Sequence, residues 1–200
     1  MQDVLLKPQQ AIAQPHLFSH KVAMEGAVTN QKASGRCWLF ATTNILRFGL
    51  IQSQNLNADF ELSQSYLFFW DKLEKSNYFL ENILETLEEP TESRLIQHLF
   101  MAPLNDGGQF DMAANLVKKY GCVPKSVFPE TFHSSNSANL DWLLTMKLRE
   151  YGADLRRMKH QEGVSVSECK QTKTQMLCHI FSILVNLIGK PPTSFCWEYA

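Results

Sequence analysis

Apolar residues recur at helical spacing along most of this chain, after a polar start. Residues 1–36 lack that repeat, and Pro8 and Pro15 would interrupt any regular element there. The pattern predicts a first helix that begins near Cys37. Its apolar residues lie along one side: Trp38, Ala41, Ile45 and Leu46.

A second helix is predicted after Ser63, whose hydroxyl can accept a backbone hydrogen bond at a helix N-terminus. The apolar residues that recur through it are Tyr66, Phe69, Trp70, Leu73, Leu80, Ile83, Leu84 and Leu87. Because this stretch is long, the pattern favours a break around Ser76 and Asn77.

Two shorter helices are predicted next, over residues 91–101 and 111–120. The first starts at Thr91 and ends before Pro103, because the residue that precedes a proline is driven out of helical geometry. The second ends at Gly121, a typical helix C-cap.

Residues 122–136 are predicted to be a connection between substructures, and residues 159–173 a polar segment of mixed charge. Between them lies an amphipathic helix with Leu140, Leu143, Leu144, Leu148, Tyr151 and Leu155 on one face. After the polar segment comes an apolar helix face formed by Met176, Leu177, Ile180, Phe181, Leu184, Val185 and Ile188. We therefore predict two parts, residues 1–121 and residues 122–200.

The candidate chemistry lies where the polar start meets the first helix. Cys37 is placed at that junction, with Arg36 directly before it. A thiol is nucleophilic as the thiolate, and a helix N-terminus favours negative charge. Arg36 is expected to add a cation beside the sulfur. These effects prepare a cysteine for reaction, but a partner such as an imidazole must complete its activation.

Gln31 precedes Cys37 by six residues, so a loop can fold its side-chain amide back toward the thiol. A carboxamide N–H together with the backbone N–H of Cys37 would form an oxyanion hole for acyl transfer. The alternative is that Gln31 is an ordinary polar loop residue and Cys37 a buried helical thiol. Spacing alone leaves both interpretations open.

The residues around this pair resemble those of the bleomycin hydrolase family, the cytosolic branch of the papain-like cysteine peptidases. The resemblance is carried by residues 28–40, 61–72, 105–109, 116–121 and, weakly, 197–199. Secreted papain-like enzymes usually have a disulfide cysteine three residues before the nucleophile, and here that position is Ser34.

The resemblance implies an α+β papain-like cysteine peptidase fold, of which this chain would be mostly α. It would hold the helical left lobe plus a helical insertion, over residues 1–121 and 122–200, and lack the β-rich right lobe. By the same resemblance Cys37 is the nucleophile and Gln31 the oxyanion donor. Gly107 and Gly108 match the paired glycines along which these enzymes hold an extended substrate backbone.

The family's catalytic His and Asn lie far downstream of its cysteine. The chain has six histidines, none of them in a stretch that resembles those motifs: His16, His20, His98, His133, His160 and His179. We therefore expect the catalytic His and Asn to lie beyond residue 200, and the chain to be an incomplete piece of a longer peptidase. His98 and His179 are expected to be structural or solvated residues of helices.

The implied activity is thiol-dependent hydrolysis of peptide and amide bonds, chiefly as an aminopeptidase acting on peptide or aminoacyl-amide substrates. Bleomycin and homocysteine thiolactone are further substrates known in the family. No cofactor and no metal are implied, and the family's assembly is a homo-hexamer in the cytoplasm, with mitochondria as the alternative location. The competing hypothesis is a non-catalytic helical module for oligomerisation or binding.

The composition of the chain argues against several other functional classes. The net charge is −1, so nothing in the bulk charge attracts nucleic acid, and nucleic-acid binding is not predicted. The five cysteines, at 37, 122, 169, 178 and 196, have no CxxC spacing, which argues against a zinc site or a disulfide scaffold. We find neither a secretory leader in the first 25 residues nor an apolar stretch long enough to span a membrane.

Overall fold

The computed structural model describes residues 17–20 and 26–198, and within them it is helical. The helices are α1 Cys37–Gln54, α2 Gln64–Glu85, α3 Arg94–Met101, α4 Phe110–Tyr120, α5 Phe132–Ser135, α6 Ala138–His160 and α7 Val166–Ile188. In the described ranges the only β pairings are two isolated bridges, between Ala33 and Asn136 and between Leu62 and Pro124. Pro8, Pro15, His16 and residues 199–200 lie outside the described residues.

Helix α2 forms the centre of the molecule and packs against α1, α3, α4, α6 and α7. Its consecutive residues Leu67, Phe68 and Phe69 are all fully buried, which requires neighbours on every side of the helix. Helices α6 and α7 cover it with residues spaced by four: Leu140, Leu144 and Leu148 from α6, and Ile180 and Leu184 from α7. One core thus joins helices from before and after residue 121, and the proposed division there stays a prediction.

Three predicted helix boundaries are wrong. Helix α2 continues through Ser76 without a break, and the buried Ser76 hydroxyl donates to the Lys72 carbonyl at 2.7 Å within the helix. Helix α3 begins at Arg94, capped by the Ser93 hydroxyl, and not at Thr91. Helix α7 begins at Val166, inside the segment predicted to be merely polar. The connection predicted over residues 122–136 also contains the short helix α5.

The start of α7 is explained by a capping box, in which Ser165 and Glu168 satisfy each other's backbone N–H groups. The next turns bury Cys169 and Lys173, so a mixed-charge sequence still presents a buried face. The start of α2 at the Ser63 cap and the span of α4 up to Gly121 are confirmed.

Helix α1 buries a different face from the one its apolar residues indicated. Trp38 is buried as expected, but Thr43 and Arg47 share the interior while Ile45 is 69% exposed. Leu46 and Leu50 are also partly exposed, so α1 presents an apolar strip to solvent. No helix in the described part of the chain is long and apolar enough to cross a membrane.

Candidate active site

Cys37 is the first residue of α1, and its side chain is exposed to solvent. The Arg36 carbonyl accepts the N–H groups of Leu39 and Phe40, at 2.9 and 3.0 Å, which closes the first turn. No acceptor among the described residues takes the N–H of Cys37 itself. The thiol therefore lies beside a free backbone donor at the positive end of an 18-residue helix.

Arg36 does not place a cation beside the thiol, and that expectation is wrong. Its guanidinium is fully buried and forms an ion pair with Glu130, at 2.9 Å. It also lies over the rings of Phe40 and Phe68, at 5.2 and 5.3 Å. Burial lowers the pKa of Arg36, and the Glu130 carboxylate counteracts this. Arg36 anchors the loop in the interior while the thiol faces outward.

The loop that carries Gln31 is closed by short local contacts. The Ser34 hydroxyl donates to the Gln31 carbonyl at 2.6 Å and accepts from Arg36 Nε at 2.8 Å. Lys32 adopts the left-handed conformation, with φ of 56°, which turns the chain back on itself. The side-chain amide of Gln31 has no hydrogen-bond partner among the described residues and is partly exposed. It is therefore available to a ligand.

Asp106 joins this loop to the segment that carries Gly107 and Gly108, here called the glycine segment. Its carboxylate accepts the Gly35 N–H at 2.8 Å, and its backbone carbonyl accepts the indole N–H of Trp38 at 2.8 Å. A Cβ on Gly35 would lie 2.6 Å from the Asp106 Cβ, so only glycine permits this approach. Two contacts thus flank Cys37, one on the residue two positions before it and one on the residue after it.

Asp106 belongs to a buried group of charges. It pairs with Lys72 of α2, which is fully buried, and accepts from the Ser137 hydroxyl. Lys72 also pairs with Asp141 of α6, at 2.6 Å. Burial alone would raise the pKa of Asp106, but the hydrogen bond from Asp141, the charge of Lys72 and the Ser137 hydroxyl hold it well below its usual range. Burial and the hydrogen bond to Asp106 raise the pKa of Asp141 to about 7, against the opposing charge of Lys72. Below about pH 7 the Asp141 carboxyl therefore keeps its proton while Asp106 is ionised.

The glycine segment is fixed on two sides. The Lys75 ammonium donates to the Gly107 carbonyl at 2.7 Å and pairs with Asp71 at 2.8 Å. A Cβ on Gly108 would lie only 2.5 Å from the Trp38 indole. Both glycines line an open cavity of about 650 Å³ that Lys75, Tyr78 and Met112 help to form. An extended ligand backbone could therefore reach Gly107 and Gly108 from this cavity.

The described histidines do not supply a base for Cys37. His20 bonds to Ser19 and His179 bonds to the Tyr151 hydroxyl. His98 and His160 lie on helix surfaces, and His133 lies in α5 against the ring of Phe132. No hydrogen bond joins any of these five to Cys37. His16 lies outside the described residues.

All five cysteines are free thiols, and Cys37 is exposed together with Cys178 and Cys196. Burial raises the pKa of Cys122 and of Cys169. Within the part of the chain that the structure describes, no group of three or more His, Cys, Asp or Glu side chains could hold a metal ion.

Comparison with known proteins identifies the family of this chain. The family model described as Peptidase C1-like family matches residues 1–200. This chain belongs to that family. It is 42% identical to bleomycin hydrolase of Oryctolagus cuniculus over 200 residues, covering 98% of this chain and 72% of the relative. It is 47% identical to aminopeptidase C of Listeria monocytogenes over 195 residues, covering 96% of this chain and 42% of the relative.

A solved structure shows the same fold. The crystal structure of PepW from Lactobacillus rhamnosis HN001 superposes with a TM-score of 0.88 at 48% sequence identity, covering 96% of this chain and 42% of that one. The chain is therefore a member of the bleomycin hydrolase family of cysteine peptidases and carries the helical part of a papain-like fold. It spans less than half the length of aminopeptidase C and of PepW.

The roles of Cys37, Gln31, Gly107 and Gly108 stay predictions. The structure places Gly108 against the indole of Trp38, one residue after Cys37. Sequence analysis missed the residues that hold this site together. These are Lys72, Lys75, Glu130, Ser137 and Asp141, together with the carboxylate of Asp106. The one available signal was a set of charged residues at otherwise apolar positions of helices, such as Lys72 among the aromatic residues of α2.

Proposed function

We propose that this sequence supplies the nucleophile of a thiol-dependent peptidase that hydrolyses peptide and amide bonds, chiefly as an aminopeptidase. The observation that carries the proposal is an exposed thiol at the first position of α1, beside an unpaired backbone N–H. The relatives named bleomycin hydrolase and aminopeptidase C support an amide substrate with a free amino terminus.

In this proposal the Cys37 thiolate attacks the carbonyl carbon of the substrate. A C–S bond forms, the C–N bond breaks, and the departing amine takes up a proton. The Cys37 N–H and the Gln31 amide donate to the oxygen while it carries negative charge. Water then hydrolyses the thioester and releases the acid. An imidazole must deliver the proton, and the described histidines do not contact Cys37.

The proposal extends to the substrates, location and assembly that the family resemblance implies. Bleomycin and homocysteine thiolactone both offer an acyl carbon that a thiolate can attack. A cytoplasmic or mitochondrial location fits five free cysteines, since such thiols persist in reducing compartments. A homo-hexamer would cover apolar surface such as the strip formed by Ile45, Leu46 and Leu50 on α1.

The test uses the longest natural polypeptide that contains this sequence, with an aminoacyl fluorogenic amide as substrate. Cys37→Ala should abolish turnover. Gln31→Ala should lower kcat by about 10²–10³, the usual loss for one oxyanion donor. Gln52→Ala, near the exposed end of α1, serves as the control and should leave kcat unchanged. Turnover that survives Cys37→Ala would favour the non-catalytic helical module, with another protein responsible for the activity.

A further inference from the structure

Asp106 occupies a position that the reaction as proposed does not use, yet it contacts the chain on both sides of Cys37. Its carboxylate accepts from the Gly35 N–H at 2.8 Å, and its carbonyl accepts from the Trp38 indole at 2.8 Å. Gly107 follows it directly. A single residue thus fixes three parts relative to one another: residues 31–37, here called the nucleophile loop, helix α1 and the glycine segment.

The contacts of Asp106 form a closed ring with the start of α6. The Ser137 hydroxyl donates to the Asp106 carboxylate, and the Ser137 N–H donates to the Ala33 carbonyl at 3.3 Å. The Ala33 N–H in turn donates to the Ser135 carbonyl at 3.0 Å. The segment from Ala33 to Gly35 is therefore held at both ends, by Asp106 on one side and by residues 135–137 on the other.

The ring is anchored in the core. Lys72 is fully buried in α2, and its ammonium pairs with both Asp106 and Asp141. Because Asp106 stays ionised, both of its oxygens remain acceptors, one for Lys72 and one for Gly35 and Ser137. Moving the Asp106 carboxylate toward solvent would take a compensating charge away from the fully buried Lys72 ammonium, which costs free energy. The position of Gly35 is therefore set by the interior of the protein.

We infer that Asp106 is a positioning residue of the nucleophile loop, acting through its hydrogen bond with Gly35 and its carbonyl contact with Trp38. This rests on the proposed function, in that Cys37 is the nucleophile. Both proposed oxyanion donors belong to this stretch, since Gln31 begins the loop and Cys37 ends it. Loss of the two Asp106 contacts, with Gly35 and with Trp38, should misplace these donors. The donors stabilise the transition state more than the bound substrate, so kcat should fall.

The experiment compares Asp106→Ala with Asp106→Asn in the longest natural polypeptide that contains this sequence, assayed with an aminoacyl 4-methylcoumaryl-7-amide. Alanine removes the acceptor for Gly35, and kcat should fall about 10- to 100-fold, with KM changed less than about threefold. Asparagine keeps a side-chain carbonyl for Gly35 and should restore kcat to within about fivefold of the wild-type value, with Asp141 balancing Lys72.

Lys173→Met is the matched structural control, because the Lys173 side chain is 11% exposed, against 13% for Asp106, and binds Asn77 at 2.8 Å and also Glu81, farther along α2. It should lower stability but leave kcat unchanged. Ser137→Ala removes one donor to Asp106 and should lower kcat about threefold to tenfold, which keeps the test informative if Asp106→Ala does not fold. Hydrogen exchange of residues 31–37 should accelerate at least about tenfold in Asp106→Ala and not in Lys173→Met.

The outcomes separate the two proposals. If Cys37→Ala is inactive but Asp106→Ala keeps kcat within twofold, Asp106 has no positioning role. If Asp106→Asn loses as much kcat as Asp106→Ala, charge matters and the hydrogen bond to Gly35 does not, which also refutes the inference. If the wild-type protein shows no thiol-dependent turnover, the proposed function fails. The positioning role of Asp106 is then tested by hydrogen exchange alone, and unchanged exchange of residues 31–37 in Asp106→Ala would refute it.

Discussion

Asp141 should make the stability of this chain depend on pH in a direction opposite to that of an ordinary ion pair. Its pKa is raised from 3.8 to about 7 in the folded chain, first by burial and then by the hydrogen bond to Asp106. The folded state thus keeps a proton that the unfolded state loses above pH 4. Stability from this group is fully present below pH 4 and is lost as the pH rises through 7.

The structure sets the size of this effect. Each pH unit between the unfolded and folded pKa values is worth about 1.4 kcal/mol, so the window from 3.8 to about 7 gives about 4 kcal/mol at most. The Asp141 side chain is 23% exposed, and solvent screening reduces the expected effect to about 2 kcal/mol. Asp71, whose pKa burial raises to about 6, acts in the same direction.

Asp141→Asn isolates the contribution. An asparagine amide donates to Asp106 as the protonated acid does, and its carbonyl can accept from Lys72. At pH 5 the variant should match the wild-type chain within about 1 kcal/mol, whereas at pH 8 it should be more stable by about 2 kcal/mol. Urea unfolding followed by tryptophan fluorescence at several pH values measures both.

A matched control lies on the same helix. Asp154 is a partly exposed residue of α6 that pairs with Arg157 at 2.9 Å, and Asp154→Asn should change stability by under about 0.5 kcal/mol at every pH. Parallel stability curves for Asp141→Asn and the wild-type chain between pH 5 and 8 would refute the reasoning. Such a result would mean that Lys72 keeps both carboxylates ionised throughout.

Two further predictions follow from the same geometry. During brief exposure of the folded chain to iodoacetamide, Cys37 should be labelled faster than Cys178, which is also exposed but lies inside α7 away from a helix N-terminus; mass-spectrometric mapping that finds Cys178 labelled first would contradict this. Gly108→Ala should destabilise the chain by about 1–3 kcal/mol in urea unfolding, because its Cβ would lie 2.5 Å from the indole of Trp38. Gly107→Ala meets no atom closer than 3.8 Å and should be tolerated, and equal losses in the two variants would argue against the contact with Trp38.

The sequence predicted the helices best where the signal is local. Ser63 before an apolar repeat and Gly121 after one both mark real helix ends, because capping depends on the residue itself and its neighbours in the chain. The predicted break at Ser76 failed, since the break was inferred from length alone. Helix α2 is long because five other helices cover it, and that covering depends on the whole fold.

The polar segment before Met176 was misjudged for a related reason. Its mixed charges suggested that the segment is exposed to solvent. The Lys173 side chain instead reaches α2, where it pairs with Glu81 and donates to Asn77. A buried lysine is recognisable only when its partner is known, and the partner here lies more than 90 residues earlier in the chain. Composition cannot reveal such a pairing.

The same argument explains what the sequence showed of the candidate site and what it did not. Cys37, Gln31 and the two glycines could be found because their roles are tied to short motifs. Arg36 was assigned to the thiol because it is adjacent in sequence, but its guanidinium pairs with Glu130, 94 residues later, and the Gly35 N–H pairs with Asp106, 71 residues later. The thiol of Cys37 is exposed, whereas Arg36 and Gly35 hold the loop through contacts with Glu130 and Asp106 in the interior. These contacts direct the Arg36 guanidinium away from the sulfur. The charge nearest to the nucleophile in sequence therefore belongs to the scaffold, and the local positive element beside the thiol is the N-terminus of α1.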